Sequence, residues 1–493
     1  MIKLATVAAF LAGVTGATAS AQSVVTYHNN PDRSGAFTMP GLTFAAAAKL
    51  HPDTGFHAAI SGNVYAQPLY WQQGAGKPAL LIVATETNAV YALNANTGTT
   101  VWKTQLAPSV PGGTLPCGDI APEGITGTPV IDPAAGRLYL DAMTIQGGSL
   151  PRHMIYALSL ASGRTAAHWP INVDNQMAAR HASFSSELQG QRSSLQFFKG
   201  KLYVTYAGRA GDCGNYYGTV IEVTPSATPK ITAHWQTRAS RGGIWAQGGA
   251  PSDGTSLFVT TGNTSAGDDW GDGEAIFRLA PGLAHSLDPK NYFAPAGWKT
   301  LDNLDADLGG TAAVPIKIAT SSGTLFRILA LGKDGTAYLV NGKNMGGIGH
   351  ALAHPKVSNT RIISAPAVYP TLIGTFVAFN GYAGLQEKCS GTNVTTLKVT
   401  GDAQTPITTA WCAPFNGSGA PVLTTTNGAA NAIVWVPGAE GDNQLHGFNA
   451  LTGKTVFSGA GTGMTGLHRF SSLIAANSRL YVAGDNAVYA FAF

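Results

Sequence analysis

An all-β fold, an eight-bladed β-propeller of four-stranded antiparallel blades, is predicted by three features of this sequence. The first is a repeat. A Val-Tyr-Ala-Leu strand, a Thr-Gly or Ser-Gly turn and an aromatic strand recur in VYALNANTGTTVWKT (90–104), IYALSLASGRTAAHW (155–169) and LHGFNALTGKTVFSG (445–459). The second is spacing. Candidate first strands begin near Gln67, Gly127, Ser194, Gly249, Gly310, Ser364, Gly419 and Ser471, at intervals of 52 to 67 residues, the length of a propeller blade. The third is composition. Only 11% of residues are charged while 61 of 493 are Gly, which suits many short strands joined by tight turns.

Each blade follows from this register. The outer-strand aromatic is expected at Trp102, Trp169, Trp235, Trp298, Trp411 and Phe457, with two repeats between Trp298 and Trp411. The last unit holds three strands, SSLIAA, RLYVAG and AVYAFAF. Its fourth must come from the N-terminal region, within 42–60, so that the ring has no open edge to aggregate. An array of β-sandwiches is the rival, but Thr-Gly turns and aromatics at blade spacing argue for the ring.

The first 21 residues read as a secretory signal: Lys3, an apolar run from Leu4 to Val14, then small residues ending Ala19-Ser20-Ala21. No cysteine stands there to carry a lipid anchor. A periplasmic or secreted single domain, 22–493, is expected, without a membrane span and as a monomer. The net charge of +4 is spread without basic blocks, which argues against nucleic acid as a partner.

The repeats resemble the pyrroloquinoline-quinone (PQQ) repeat of quinoprotein dehydrogenases and of non-catalytic propellers built from the same unit. The segment YHNNPDRSGAF (27–37) is similar to the opening motif of that superfamily. The chain from residue 22 on is most similar to exported bacterial propellers of this repeat.

In a propeller, the connection between blades lies on the same face as the loop between second and third strands. That face should gather Cys117 and Glu123, Gln191 and Arg192, Asp212 and Cys213, Arg241 and Trp245, Asn263 with the acidic loop to Trp270, Asp302, Asp305 and Asp307, and Lys333 with Asp334. A concave mouth with convergent polar groups is the default site. The same placement brings Cys117 to Cys213, and Cys389 to Cys412 within blade six. Two disulfides suit an exported chain.

The resemblance implies roles for these residues. GGIWAQ puts Trp245 at the indole that supports the quinone, and TTGN puts Asn263 at a calcium ligand. NLDADL is similar to the W-D-x-D stretch of the family, with Asp305 as base beside the metal and Leu304 in place of the Trp. LGKDG puts Lys333 at the cation near the quinone oxygens. Arg192, Arg241, Cys117 and Cys213 complete the expected cofactor surroundings. Departures are equally plain. No vicinal Cys-Cys exists, Cys213 stands at the calcium Glu, and no C-x-x-C-H motif provides a haem.

Three functions therefore compete: a PQQ- and calcium-dependent oxidoreductase for an alcohol or sugar with a separate electron acceptor, a non-catalytic propeller binding a protein or glycan at its mouth, and a glycan-cleaving enzyme using Asp305, Arg192 and Arg241. Each special residue also has a plain structural reading. Gly262-Asn263 and Lys333-Asp334-Gly335 are good turns, and a Trp between blades packs well.

Overall fold

The computed structural model describes residues 22–493 apart from 75, 266, 383–388 and 390–393; the signal sequence lies outside the described residues. Eight sheets form the ring. Blade one is built from Leu69–Trp71, Leu80–Ala84, Ala89–Asn94 and Thr100–Gln105. Blades two, three, six and seven repeat this order, beginning at Val130–Asp132, Gln196–Phe198, Ala367–Thr371 and Val422–Thr425. Blade four keeps only the Ser252–Leu257 bridge as its inner strand, and blade five has three strands, Val314–Thr320, Gly323–Leu331 and Ala337–Asn341.

The repeat has a packing cause. Trp102 of blade one lies on the Ser-Gly turn of blade two and donates its indole N–H to the Leu160 carbonyl at 2.9 Å. A Cβ on Gly163 would stand 2.5 Å from the Trp102 ring, and Gly163 has φ +70°, so only glycine fits. Trp411 repeats the arrangement on Gly453 and the Ala450 carbonyl. Two of the expected aromatics differ. Trp298 opens the short helix Trp298–Leu304, and Trp169 precedes Pro170 outside any strand, because these connections carry insertions that leave the blade.

Closure matches the expectation. His51–Pro52 and Ala58–Ala59 pair with Ala487–Ala492 as the fourth strand of blade eight. Ala36–Thr38 adds a parallel strand inside blade seven. Between Val24 and Thr38 the chain visits most of the ring. It bonds Tyr70 of blade one, Ile131 of blade two, Leu195 of blade three, Ser252 of blade four, Val368 of blade six and Leu423 of blade seven. Arg33 is the centre of this plug, 1% exposed, donating to the carbonyls of Gly248 and Leu195 at 3.0 Å and Tyr27 at 3.1 Å and to the Thr26 hydroxyl.

A second buried network lies between blades two and three. His153 is 1% exposed, with Nδ1 2.6 Å from Asp141 Oδ1 and Nε2 2.9 Å from the Gln189 carbonyl. Tyr206 donates to the other Asp141 oxygen at 2.8 Å. Both ring nitrogens face acceptors, so the imidazolium satisfies the site and a neutral ring does not. Burial opposes that charge, and Asp141, by its charge and its hydrogen bond, more than reverses the penalty, raising the pKa of His153. A raised folded-state pKa stabilises fully below the unfolded value of about 6.5 and loses that contribution as pH climbs through the folded value. The melting temperature should therefore fall as pH rises above about 6.5, and a His153→Gln variant should show a flatter profile; equal slopes in calorimetry would refute this.

Candidate functional site

The plug turns the channel into a cup. In blades three, four and six the residues that meet the plug follow those at the mouth. Arg192 precedes Leu195, Trp245 precedes Gly248, and Ile363 precedes Val368. Above the plug lies a cavity of about 270 Å³, lined by Arg192, Trp245, Asn263, Asp305 and Lys333 among others.

Blade four supplies Trp245 and Asn263. Arg241 and Gly242 take left-handed backbone, φ 68° and 65°. This lets 241–243 pair with 262–264, through Gly242 N–H to the Asn263 carbonyl at 2.7 Å and Gly262 N–H to the Gly243 carbonyl at 3.0 Å. The pairing sets Gly262 beside Trp245. A Cβ on Gly262 would be 2.5 Å from Asp307 Oδ1 and 3.5 Å from Trp245 Nε1, so the glycine is a close-approach requirement. Asn263 donates its backbone N–H to Asp307 Oδ1 at 2.9 Å, and Thr264 donates to Asp302 at 2.9 Å. The turn is thus tied to the connection into blade five.

That connection supplies the carboxylates. Asp305 caps the helix Trp298–Leu304 in left-handed backbone (φ 50°), which aims it into the mouth with 65% of its side chain exposed. Asp307 is buried. Lys333 Nζ bridges them, 2.8 Å from Asp305 Oδ1 and 3.2 Å from Asp307 Oδ2. Burial opposes the Lys333 charge, but Asp307 and Asp305 outweigh it and raise its pKa, so the ammonium persists.

Around the rim, Arg192 pairs with Asp119 at 3.0 Å and lies over the Phe470 ring at 5.4 Å. Arg469 pairs with Glu440 at 3.3 Å. Arg361 is exposed and has no ion pair among the described residues. Arg209, absent from the sequence expectations, is clamped by Glu123 through two bonds of 2.9 and 2.8 Å and donates to the Glu187 and Gln189 carbonyls. Register could have found these arginines. Arg361 and Arg469 precede their first strands as Arg192 does, and Arg209 follows a second strand as Asn263 and Lys333 do.

Not every expected residue reaches the cavity. Arg241 does not line it; its backbone bonds Tyr216 and Gly218 instead. Cys117 and Cys213 are bonded to each other, as are Cys389 and Cys412, with Cα separations of 6.1 and 5.6 Å. The Cys117–Cys213 bridge stands behind Gly211, whose added Cβ would be 3.4 Å from Cys117 Cβ, so it braces the rim between blades two and three. Trp270 packs on Tyr292 and Phe277, and Asp268 pairs with Lys299 outside the cavity.

The donors fit calcium poorly. The ion takes six to eight oxygens, usually including carboxylates that are free to bind it. Among the described residues no three His, Cys, Asp or Glu side chains come close enough to share a metal. Asp305 and Asp307 already share the Lys333 ammonium, whose single charge offsets one of the two, and Cys213 is used in a disulfide. A planar quinone bearing carboxylates fits better. Trp245 provides an aromatic wall and Arg361, without an ion pair among the described residues, a cation, with Arg192, Arg469 and Lys333 at the same mouth each shared with a carboxylate.

No family model and no curated protein sequence matches this chain. Solved structures do. The quinohemoprotein alcohol dehydrogenase from Comamonas testosteroni superposes with a TM-score of 0.66 at 15% identity, over 95% of this chain and 80% of that one. A europium-containing methanol dehydrogenase gives 0.65 at 12% identity, over 96% and 98%. BamB from Moraxella catarrhalis gives 0.50 at 14% identity, over 90% and 98%. At such identities the likeness establishes the eight-bladed propeller fold, which dehydrogenases share with BamB.

Proposed function

We propose that this propeller is a quinoprotein-like oxidoreductase that binds a PQQ-type quinone at its mouth and oxidises an alcohol or sugar hydroxyl. The observation that carries the reading is the convergence of Trp245, Asn263, Asp305 and Lys333 around one cavity. The quinone, when bound, supplies the acceptor for the hydride of the alcohol. Trp245 would hold its flat face, and the rim arginines would hold its carboxylates. Asp305 takes the hydroxyl proton, for which its exposure at the mouth suits it. Lys333 keeps positive charge near the reacting oxygens. With no C-x-x-C-H motif in the sequence, a reduced quinone would need a separate electron acceptor. Export accords with the two disulfides and with the lack, among the described residues, of a helix long and apolar enough to cross a membrane.

The poor calcium set favours a second reading, a non-catalytic receptor for an anionic ligand at the same mouth. Absorbance titration with PQQ, then dye reduction with alcohols and sugars, separates the two. The oxidoreductase should bind the quinone saturably, and Trp245→Ala should weaken binding about tenfold, from the roughly 0.5–1.5 kcal/mol of aromatic contact plus lost burial. Binding without dye reduction supports the receptor, and absence of any spectral change sinks the quinone reading.

A further inference from the structure

We propose that Lys333 is the resident cation of this site, standing in for a divalent metal, and that the mouth binds its ligand without a metal ion. The inference rests on the reading above only for the identity of the ligand.

The ammonium is built in by the fold. The Lys333 backbone N–H donates to the Asp307 carbonyl at 2.8 Å, which fixes the blade-five turn against the connection that carries both carboxylates. Gly310 leaves no room between them, since an added Cβ would stand 2.7 Å from the Lys333 nitrogen. From that anchor Nζ reaches Asp305 at 2.8 Å and Asp307 at 3.2 Å, with only 13% of the side chain exposed. The remaining Asp307 oxygen takes the Asn263 N–H at 2.9 Å, so one lysine holds the Asn263 turn, the buried carboxylate and the exposed one together. A hard cation would need the same oxygens at about 2.3–2.6 Å and would have to expel an ammonium already bonded to both. Glu274, buried next to Asp307, accepts the Leu308 N–H, and among the described residues it forms no metal-sized group with Asp305 and Asp307. Asp212, the nearest substitute in sequence for the position held by Cys213, accepts the Tyr216 hydroxyl at 2.6 Å and forms no metal-sized group with Asp305 and Asp307. Lysine here supplies what the metal would: positive charge beside the carboxylates and a donor toward a ligand oxygen.

The test is calorimetric titration of the EDTA-treated protein with calcium chloride, paired with melting curves. The wild type should give no saturable heat and no shift in melting temperature up to millimolar calcium. Lys333→Met, which keeps the stem and removes the charge, should gain a calcium-dependent rise in melting temperature, and Lys333→Arg should stay silent. Stoichiometric calcium binding by the wild type overturns the proposal, as does a folded Lys333→Met that remains indifferent to calcium. The wild-type measurement decides even where Lys333→Met does not fold. PQQ titration in EDTA is a separate arm: equal affinity with and without calcium supports both readings. Failure to bind under either condition removes the quinone function while the calorimetry still settles the cation.

Discussion

Replacing Arg33 with methionine should destabilise the whole propeller by at least about 3 kcal/mol, because three backbone carbonyls and one hydroxyl lose their donor inside the ring, each at a cost of roughly 1–3 kcal/mol. Methionine keeps the volume of the stem, so the loss reads the hydrogen bonds rather than a cavity. The guanidinium is fully buried, and burial pulls its pKa down to about 9, so it stays charged at neutral pH. Its partners belong to blades three and four and to the plug itself, so no single sheet can compensate. For a chain of this size the loss corresponds to a melting temperature lower by roughly 3 °C or more, at about 1 kcal/mol per degree. The floor of the mouth should loosen as well, and ligand affinity should fall with it. Scanning calorimetry of Arg33→Met beside Arg33→Lys checks this, and an unchanged transition would show that the plug is not held by Arg33.

Arg209→Met should cost about 3–5 kcal/mol, the penalty for breaking a buried ion pair from one side. Glu123 is 7% exposed and would be left without its counter-charge, while the Glu187 and Gln189 carbonyls each lose a donor. The double replacement with Glu123→Gln should recover part of the loss, since the uncompensated charge is then gone. A double-mutant cycle by calorimetry reads the coupling; strictly additive losses would mean that the two side chains do not sense each other. Arg209 also shares the Gln189 carbonyl with His153, so the pair links the cavity wall to the buried imidazolium between blades two and three.

Much of the architecture was legible in the order of residues. Strand periodicity and the Thr-Gly to Trp interval are local, and Trp102 on Gly163 shows why: each outer strand must dock on the turn of the next blade. The closing strand from 42–60 and both cysteine pairings followed from strand order, as did the gathering of Trp245, Asn263, Asp305 and Lys333 on one face. Insertions hid the helix at Trp298 and moved Trp270 into packing, because a connection of many residues has no fixed register with its blade.

What the sequence by itself determined was the ring, its closure and the placing of Trp245, Asn263, Asp305 and Lys333 at one mouth, since these depend on spacing along the chain. Only the tertiary structure decided which charge meets which. Arg33 lies 162 residues from Leu195, Arg209 lies 86 from Glu123, and Lys333 lies 26 from Asp307. Coulomb energies and hydrogen bonds act across space over a few ångströms. The same residues in the same order therefore leave open whether the carboxylates await a metal or already hold a lysine.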